Sequence, residues 1–203
     1  MNHWGEFYSK SYELDYLIRN VSCHREMFDL IYEEKPKKIL EVGSGTGSMS
    51  TFLSYLGYEV TSLDNDSKVL LKAKNLAKKL NGKVKFTLND AFNIPFGDNY
   101  FDVVFHQGLL EHFSDANIYK LLDEQLRVGK IVVLSVPNNL YKNIDFGDER
   151  LLPNIFWDSL LKRRYKLLVS LSYNSVERKS LRNRFIYRVD NTMYLAKIKK
   201  SKK

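Results

Sequence analysis

Residues 39–47 read Ile-Leu-Glu-Val-Gly-Ser-Gly-Thr-Gly, a short apolar run that carries one carboxylate and breaks into three alternating glycines. Glycine permits positive φ and has no Cβ to hold a ligand away from the backbone, and a helix that starts just after such a turn presents unpaired N–H groups. A chain built this way is constrained to a strand, a tight turn and a helix, with a nucleotide-type cofactor at the turn. Asp64 ends the next apolar run, about twenty positions on, where a carboxylate suits a ribose diol. Two residues separate the pattern from a dinucleotide fingerprint. Ser48 stands where the third glycine belongs, and Glu41 would repel a pyrophosphate while attracting an ammonium.

S-adenosylmethionine has both an ammonium and a ribose diol. Glu41, Gly43, Gly45 and Gly47 resemble the first motif of the class I S-adenosylmethionine-dependent methyltransferases, Glu/Asp-x-Gly-x-Gly-x-Gly. The resemblance continues through Asp64, Asp90, residues 101–112 and residues 129–138, in the family's order; it is sharp over 38–139 and loose beyond. It implies that Glu41, Gly43, Ser44, Gly45 and Gly47 cradle the cofactor, that Asp64 and Asn65 meet the ribose, and that Asp90, Ala91 and Phe92 lie near the adenine. It implies methyl transfer to an O, N or C nucleophile of a small molecule. RNA or protein as acceptor, and a non-catalytic cofactor-binding subunit, are the competing readings. A nicotinamide enzyme is disfavoured by Glu41 and Ser48.

His106, Gln107, Glu111 and His112 follow the fourth apolar run, at the carboxyl edge where open α/β sheets bind ligands. His106, Glu111 and His112 are therefore candidate general bases, and the resemblance also sets His106 and Gln107 along the methionine end of the cofactor. Asp148-Glu149-Arg150 reads as a loop salt bridge. The single cysteine, Cys23, excludes an internal disulfide and any multi-cysteine metal cluster; it reads as a small buried residue on a helix, and no metal is expected.

Alternating strand and helix patterns predict an α/β protein with a parallel sheet covered on both faces. The apolar runs place strands at 38–42, 59–63, 83–87, 101–106 and 130–136, with two more at 166–173 and 192–198. The resemblance implies a Rossmann-like, doubly wound sheet of about seven strands whose last strand is antiparallel. Asp66 and Ser114 suit helix N-caps, and Pro153 the first turn of a helix. Residues 35–203 read as one methyltransferase domain, preceded by a helical cap at 1–34. Trp4, Tyr8 and Tyr12 recur at four-residue spacing, so a helix there would align their rings as a lid, with Tyr8 and Tyr12 reaching the cofactor.

Charge is uneven. From residue 141 onward 16 Lys plus Arg stand against 6 Asp plus Glu, a surplus of 10 in a chain whose net charge is +8, so the first 140 residues carry −2. That basic third reads first as a solvated face; nucleic acid is the alternative partner. No run approaches the ~20 apolar residues of a membrane span, and the N-terminus lacks the blocks of a signal peptide, so a cytoplasmic location without membrane contact is expected.

Overall fold

The computed structural model describes residues 14–141, 148–179 and 186–201. Two helices, α1 (Leu14–Cys23) and α2 (Arg25–Glu33), precede β1 (Lys38–Val42), α3 (Ser48–Tyr55), β2 (Glu59–Asp64), α4 (Ser67–Lys79) and β3 (Val84–Leu88). Then come β4 (Phe101–Gln107), a 3₁₀ turn (Leu110–His112), α5 (Asp115–Val128), β5 (Gly129–Pro137), α6 (Asn154–Lys162), β6 (Tyr165–Lys179) and β7 (Ile186–Lys200). The seven strands form one sheet in the order β3-β2-β1-β4-β5-β7-β6. β1 to β5 run parallel, while β7 lies antiparallel between β5 and β6. This is the expected doubly wound architecture.

Sheet order reverses at β1, which pairs β2 on one side and β4 on the other. The carboxyl ends at such a switch point diverge and leave a crevice, so the glycine turn after β1 is where this topology has room for a ligand. Each face of the sheet carries its own core. Val104, Leu134 and Val136 pack with Leu121, Leu122, Trp157 and Leu161 of α5 and α6 on one face. Phe105, Val103 and Val133 pack with Met27, Ile31, Met49 and Leu53 of α2 and α3 on the other. The cap segment therefore shares the domain's core through α2.

Local signals act as their chemistry dictates, with three exceptions. Asp66 caps α4 by accepting the N–H groups of Lys68 and Val69. Ser114 occupies the N-cap of α5, but its hydroxyl makes no capping bond. Pro153 sits one residue earlier than expected, at the N-cap of α6. Cys23 is exposed rather than buried, because α1 buries only the stripe through Leu17. No helix of the described residues is long and apolar enough to cross a membrane.

Candidate functional site

Gly43 and Gly45 leave the end of β1 with φ of 81° and 49°, a left-handed course that side chains resist. The turn they form separates two hollows at the carboxyl edge of the sheet. The larger, of about 270 Å³, is bounded by Gly43, Gly45, Asp64, Asn65, Val69, Ala91, Gln107, Gly108, Leu109, His112 and Phe113. The smaller, of about 60 Å³, lies under α1 and is bounded by Tyr16, Asn20, Glu41, Gly43, Ser44, Gly45, Thr46, Ser48, Met49 and Gln107. Gly43, Gly45 and Gln107 face both, so an elongated ligand can run from one hollow to the other across bare backbone.

Gly47 has a different duty. It caps α3 with φ of 73°, and a Cβ there would come within 2.8 Å of Ala73 Cβ, so its bareness lets α3 pack on α4. It faces neither hollow, contrary to the expectation that it touches the cofactor.

Glu41 is 5% exposed, and its Oε2 accepts the hydroxyls of Ser50 and Ser62, the latter at 2.9 Å. Ser62 in turn pairs with Ser44 of the glycine turn at 2.7 Å, so a hydroxyl chain ties the turn to both β2 and the carboxylate. Burial pushes the Glu41 carboxyl up to about 7, against the lowering effect of the two serines. A cationic group entering the smaller hollow would relieve that burial cost. Asp64 accepts the Asp66 N–H at 2.9 Å and is held further by the N–H groups of Ser44 and Gly45. Burial raises its carboxyl despite those bonds.

The adenine candidates divide. Ala91 bounds the larger hollow, and Phe92 packs edge-to-face on Phe113 with centroids 5.6 Å apart. Asp90 does not reach the hollow. Its carboxylate accepts the Phe92 N–H at 2.9 Å in an Asx turn, which is its local work.

The candidate bases divide as well. Alternation along β4 places His106 with Val104 on the α5/α6 face, and Gln107 with Phe105 on the other. His106 is consequently fully buried, faces neither hollow, has no hydrogen-bond partner at either ring nitrogen among the described residues, and is pushed down to about 3 by burial. It is a neutral core residue. Glu111 is 3% exposed behind the Gly108 turn, and burial pushes its carboxyl up to about 8, so it too stands off the hollow. Of the three, only His112 bounds the larger hollow, and its Nδ1 lies 2.7 Å from Asp148 Oδ1. The charges of Asp148-Glu149-Arg150, expected as a loop salt bridge, pair outside the loop: Arg150 with Asp115 of α5 at 2.7 Å and Asp148 with His112.

Tyr8 and Tyr12 lie outside the described residues. The residues over the smaller hollow are Tyr16 and Asn20, with Asn20 Nδ2 donating to Ser48 Oγ at 2.6 Å and Tyr16 bonded to the Thr46 side chain. Tyr16 extends the four-residue spacing of Tyr8 and Tyr12 by one step, and that periodicity was the available signal. Leu109 and Phe113 carried none beyond their place after β4.

Residues 39–130 match the family model described as a methyltransferase domain. Demethylmenaquinone methyltransferase of Thermotoga maritima is 32% identical over 118 residues, which is 55% of this chain and 49% of that protein. This part of the chain is thus similar to a methyltransferase domain. Tocopherol O-methyltransferase of Arabidopsis thaliana is 32% identical over 60% of this chain and 35% of its own length. The chain thus spans about half the length, or less, of the curated relatives it matches. Among solved structures, magnesium protoporphyrin IX methyltransferase of Synechocystis, with bound SAH, superposes with a TM-score of 0.67 over 98% of this chain and 93% of that one, at 13% identity. A methyltransferase of Aquifex aeolicus does so with a TM-score of 0.66 over 94% and 100%, at 15% identity. These likenesses show the methyltransferase fold.

Proposed function

We propose that the protein transfers a methyl group from S-adenosylmethionine to an O, N or C nucleophile of a small molecule. The observation that carries the reading is the bare turn at Gly43 and Gly45, flanked by a carboxylate on each side and open to a hollow at each end. The residues fit the cofactor's chemistry: Asp64 for the ribose diol, Glu41 and Gln107 beside the smaller hollow for the ammonium end, Ala91, Leu109 and Phe113 for the flat base. When bound, S-adenosylmethionine supplies an electrophilic methyl carbon on a sulfonium. The chain's own part is alignment and exclusion of water, by the glycine turn below and α1 above. Small-molecule acceptors are favoured because the relatives named above are methyltransferases of demethylmenaquinone and of tocopherol.

Titration calorimetry tests the reading. S-adenosylmethionine and S-adenosylhomocysteine should bind, and NAD and NADP should not. Asp64→Ala should weaken S-adenosylmethionine by roughly 1.5 to 3 kcal/mol for each charge-assisted bond lost. Unchanged affinity in a variant that melts like the parent would remove Asp64 from the site and the assignment with it.

A further inference from the structure

We infer that Glu41 is a neutral acid in the free protein and gives up its proton as the amino-acid end of the cofactor enters the smaller hollow, becoming the carboxylate that faces the ligand's ammonium. The inference rests on the cofactor reading above and deepens it: Glu41 becomes the residue that selects nucleosides carrying an α-amino group. Glu41 bounds the smaller hollow and is buried. Among the described residues its bonding partners are the hydroxyls of Ser50 and Ser62, both at Oε2, and the Ser50 N–H, and no cationic side chain acts on it. Burying a carboxylate without a cation costs more than a few neutral donors return, so the carboxyl keeps its proton.

The elements packed around this carboxyl leave it uncompensated. β2 brings Ser62 and Asp64, an acid whose charge raises Glu41 further. α3 brings Ser48, Met49 and Ser50, none of them charged. β4 sets Phe105 opposite Glu41 and Gln107 at the hollow, while its His106 is buried on the other face of the sheet. From α1 come Tyr16 and Asn20; burial pushes the Tyr16 phenol up, so it stays neutral, and the exposed Asp15 and Arg19 of that helix pair with each other at 2.5 Å. The serines accommodate either state of the acid. Ser62 also bonds Ser44, and either hydroxyl of that pair can donate, so the chain can reorient when the proton leaves.

The proton step balances. The O–H bond of Glu41 breaks, its electron pair stays on the carboxylate, and the proton passes to the buffer, while the ligand's ammonium keeps its three N–H bonds. One cation replaces another, so the hollow stays neutral overall. A nucleoside without an α-amino group has no cation to exchange, and Glu41 keeps its proton beside it. The sign follows: ligand and proton compete for one carboxylate, so affinity climbs as pH rises and levels above about 7, where the free protein has already lost the proton.

Titration calorimetry at about pH 6, in two buffers of different ionisation enthalpy, counts the protons released. S-adenosylhomocysteine should release about one proton more than methylthioadenosine, which has the same ribose and base but no amino acid, so that any titration at Asp64 cancels. From about pH 5 to about pH 6 its affinity should rise about tenfold. Glu41→Gln, an isostere with a single protonation state, should bind S-adenosylhomocysteine with little change over that range and without the extra proton; this comparison decides alone where methylthioadenosine binds too weakly to titrate. A release equal for the two ligands, or one that survives in Glu41→Gln, overturns the inference. Failure of S-adenosylhomocysteine to bind the wild type at any of these pH values would instead sink the cofactor reading, so the two failures are distinguishable.

Discussion

Glu111 keeps a proton in the folded protein that it gives up in the unfolded chain, and that difference is measurable. Its carboxyl is raised from 4.5 to about 8 by burial, and that of Glu41 to about 7. Across those windows the native state binds more protons than the unfolded state, so stability falls as pH rises. His24 and His106 act with the opposite sign: burial lowers them from 6.5 to about 4 and about 3, so their contribution grows with pH and is complete above 6.5. Above that value the carboxyls stand alone among these four. Glu111→Gln should therefore flatten the loss of stability between pH 6.5 and about 8.5, by on the order of 2 kcal/mol relative to wild type, as read by denaturant unfolding. Parallel curves would mean that the carboxyl ionises normally. At this scale the sequence was legible where placement follows from backbone chemistry close by, as at Gly43, Gly45 and Asp64, which bound the larger hollow. It was not legible at His106 against Gln107, because a strand apolar on both faces carries no phase to say which side chain points where. Nor could it pair His112 with Asp148, which lie 36 residues apart and meet where Arg150 ties their two segments together, through the Glu111 and Phe113 carbonyls.

Helix α1 is fastened at one end more firmly than at the other. At its junction with α2, His24 Nδ1 and Ser135 Oγ both hydrogen-bond the buried Tyr173 hydroxyl, at 2.6 and 2.7 Å, which joins the junction to β5 and β6. Along its length the helix buries only Leu17, and it meets the glycine turn through two polar contacts, Asn20 to Ser48 and Tyr16 to Thr46. Leu14 and Ile18 are more than half exposed. So little apolar burial scarcely offsets the entropy of ordering a helix, and a ligand in the smaller hollow would add contacts to Tyr16 and Asn20. Amide exchange over residues 14–20 should slow when S-adenosylmethionine binds, while residues 25–33 of α2 change little. Equal protection with and without ligand would make α1 ordinary core and not a lid. The strands from β1 to β5 were readable almost to the residue from their content of Val, Ile, Leu and Phe. β6 and β7 were not: they run to 165–179 and 186–200, beyond the expected 166–173 and 192–198, because in the added residues Val176, Ile186, Tyr187 and Val189 are interrupted by charged and polar neighbours.

At the scale of the whole molecule that extension has a direction. β5 stops pairing at Pro137 opposite Met193, whereas β6 and β7 continue as a two-stranded ribbon from Ser175 opposite Asp190 to Lys179 opposite Ile186. The ribbon therefore continues past the carboxyl edge of the sheet, the edge on which the hollows open, and Arg178, Lys179 and Arg188 lie on it. Cations on a ribbon in that place are what a nucleic-acid reader would use, but Glu177 and Asp190 lie on the same ribbon. Against that reading, four of the eleven basic residues described from residue 141 onward are neutralised within the domain. Lys197 pairs with Glu33 and Glu34 at 3.1 and 2.9 Å, Arg164 with Asp123 at 2.5 Å, Lys162 with Asp158 at 2.9 Å, and Arg150 with Asp115. A cation already paired with a carboxylate can neutralise a phosphate, and so release the counterions condensed on the nucleic acid, only by giving up that partner. Fluorescence anisotropy with a short single-stranded RNA should accordingly show only non-specific affinity, in the range of about 10⁻⁴ to 10⁻⁶ M at physiological salt. Truncation after Lys199 should leave melting and S-adenosylmethionine affinity unchanged, since of the residues removed only Lys200, the last of the strand, belongs to β7. Binding far tighter than that range, falling steeply with salt and weakened by charge reversal at Arg178, Lys179 and Arg188, would instead make the ribbon the acceptor's grip and RNA the acceptor.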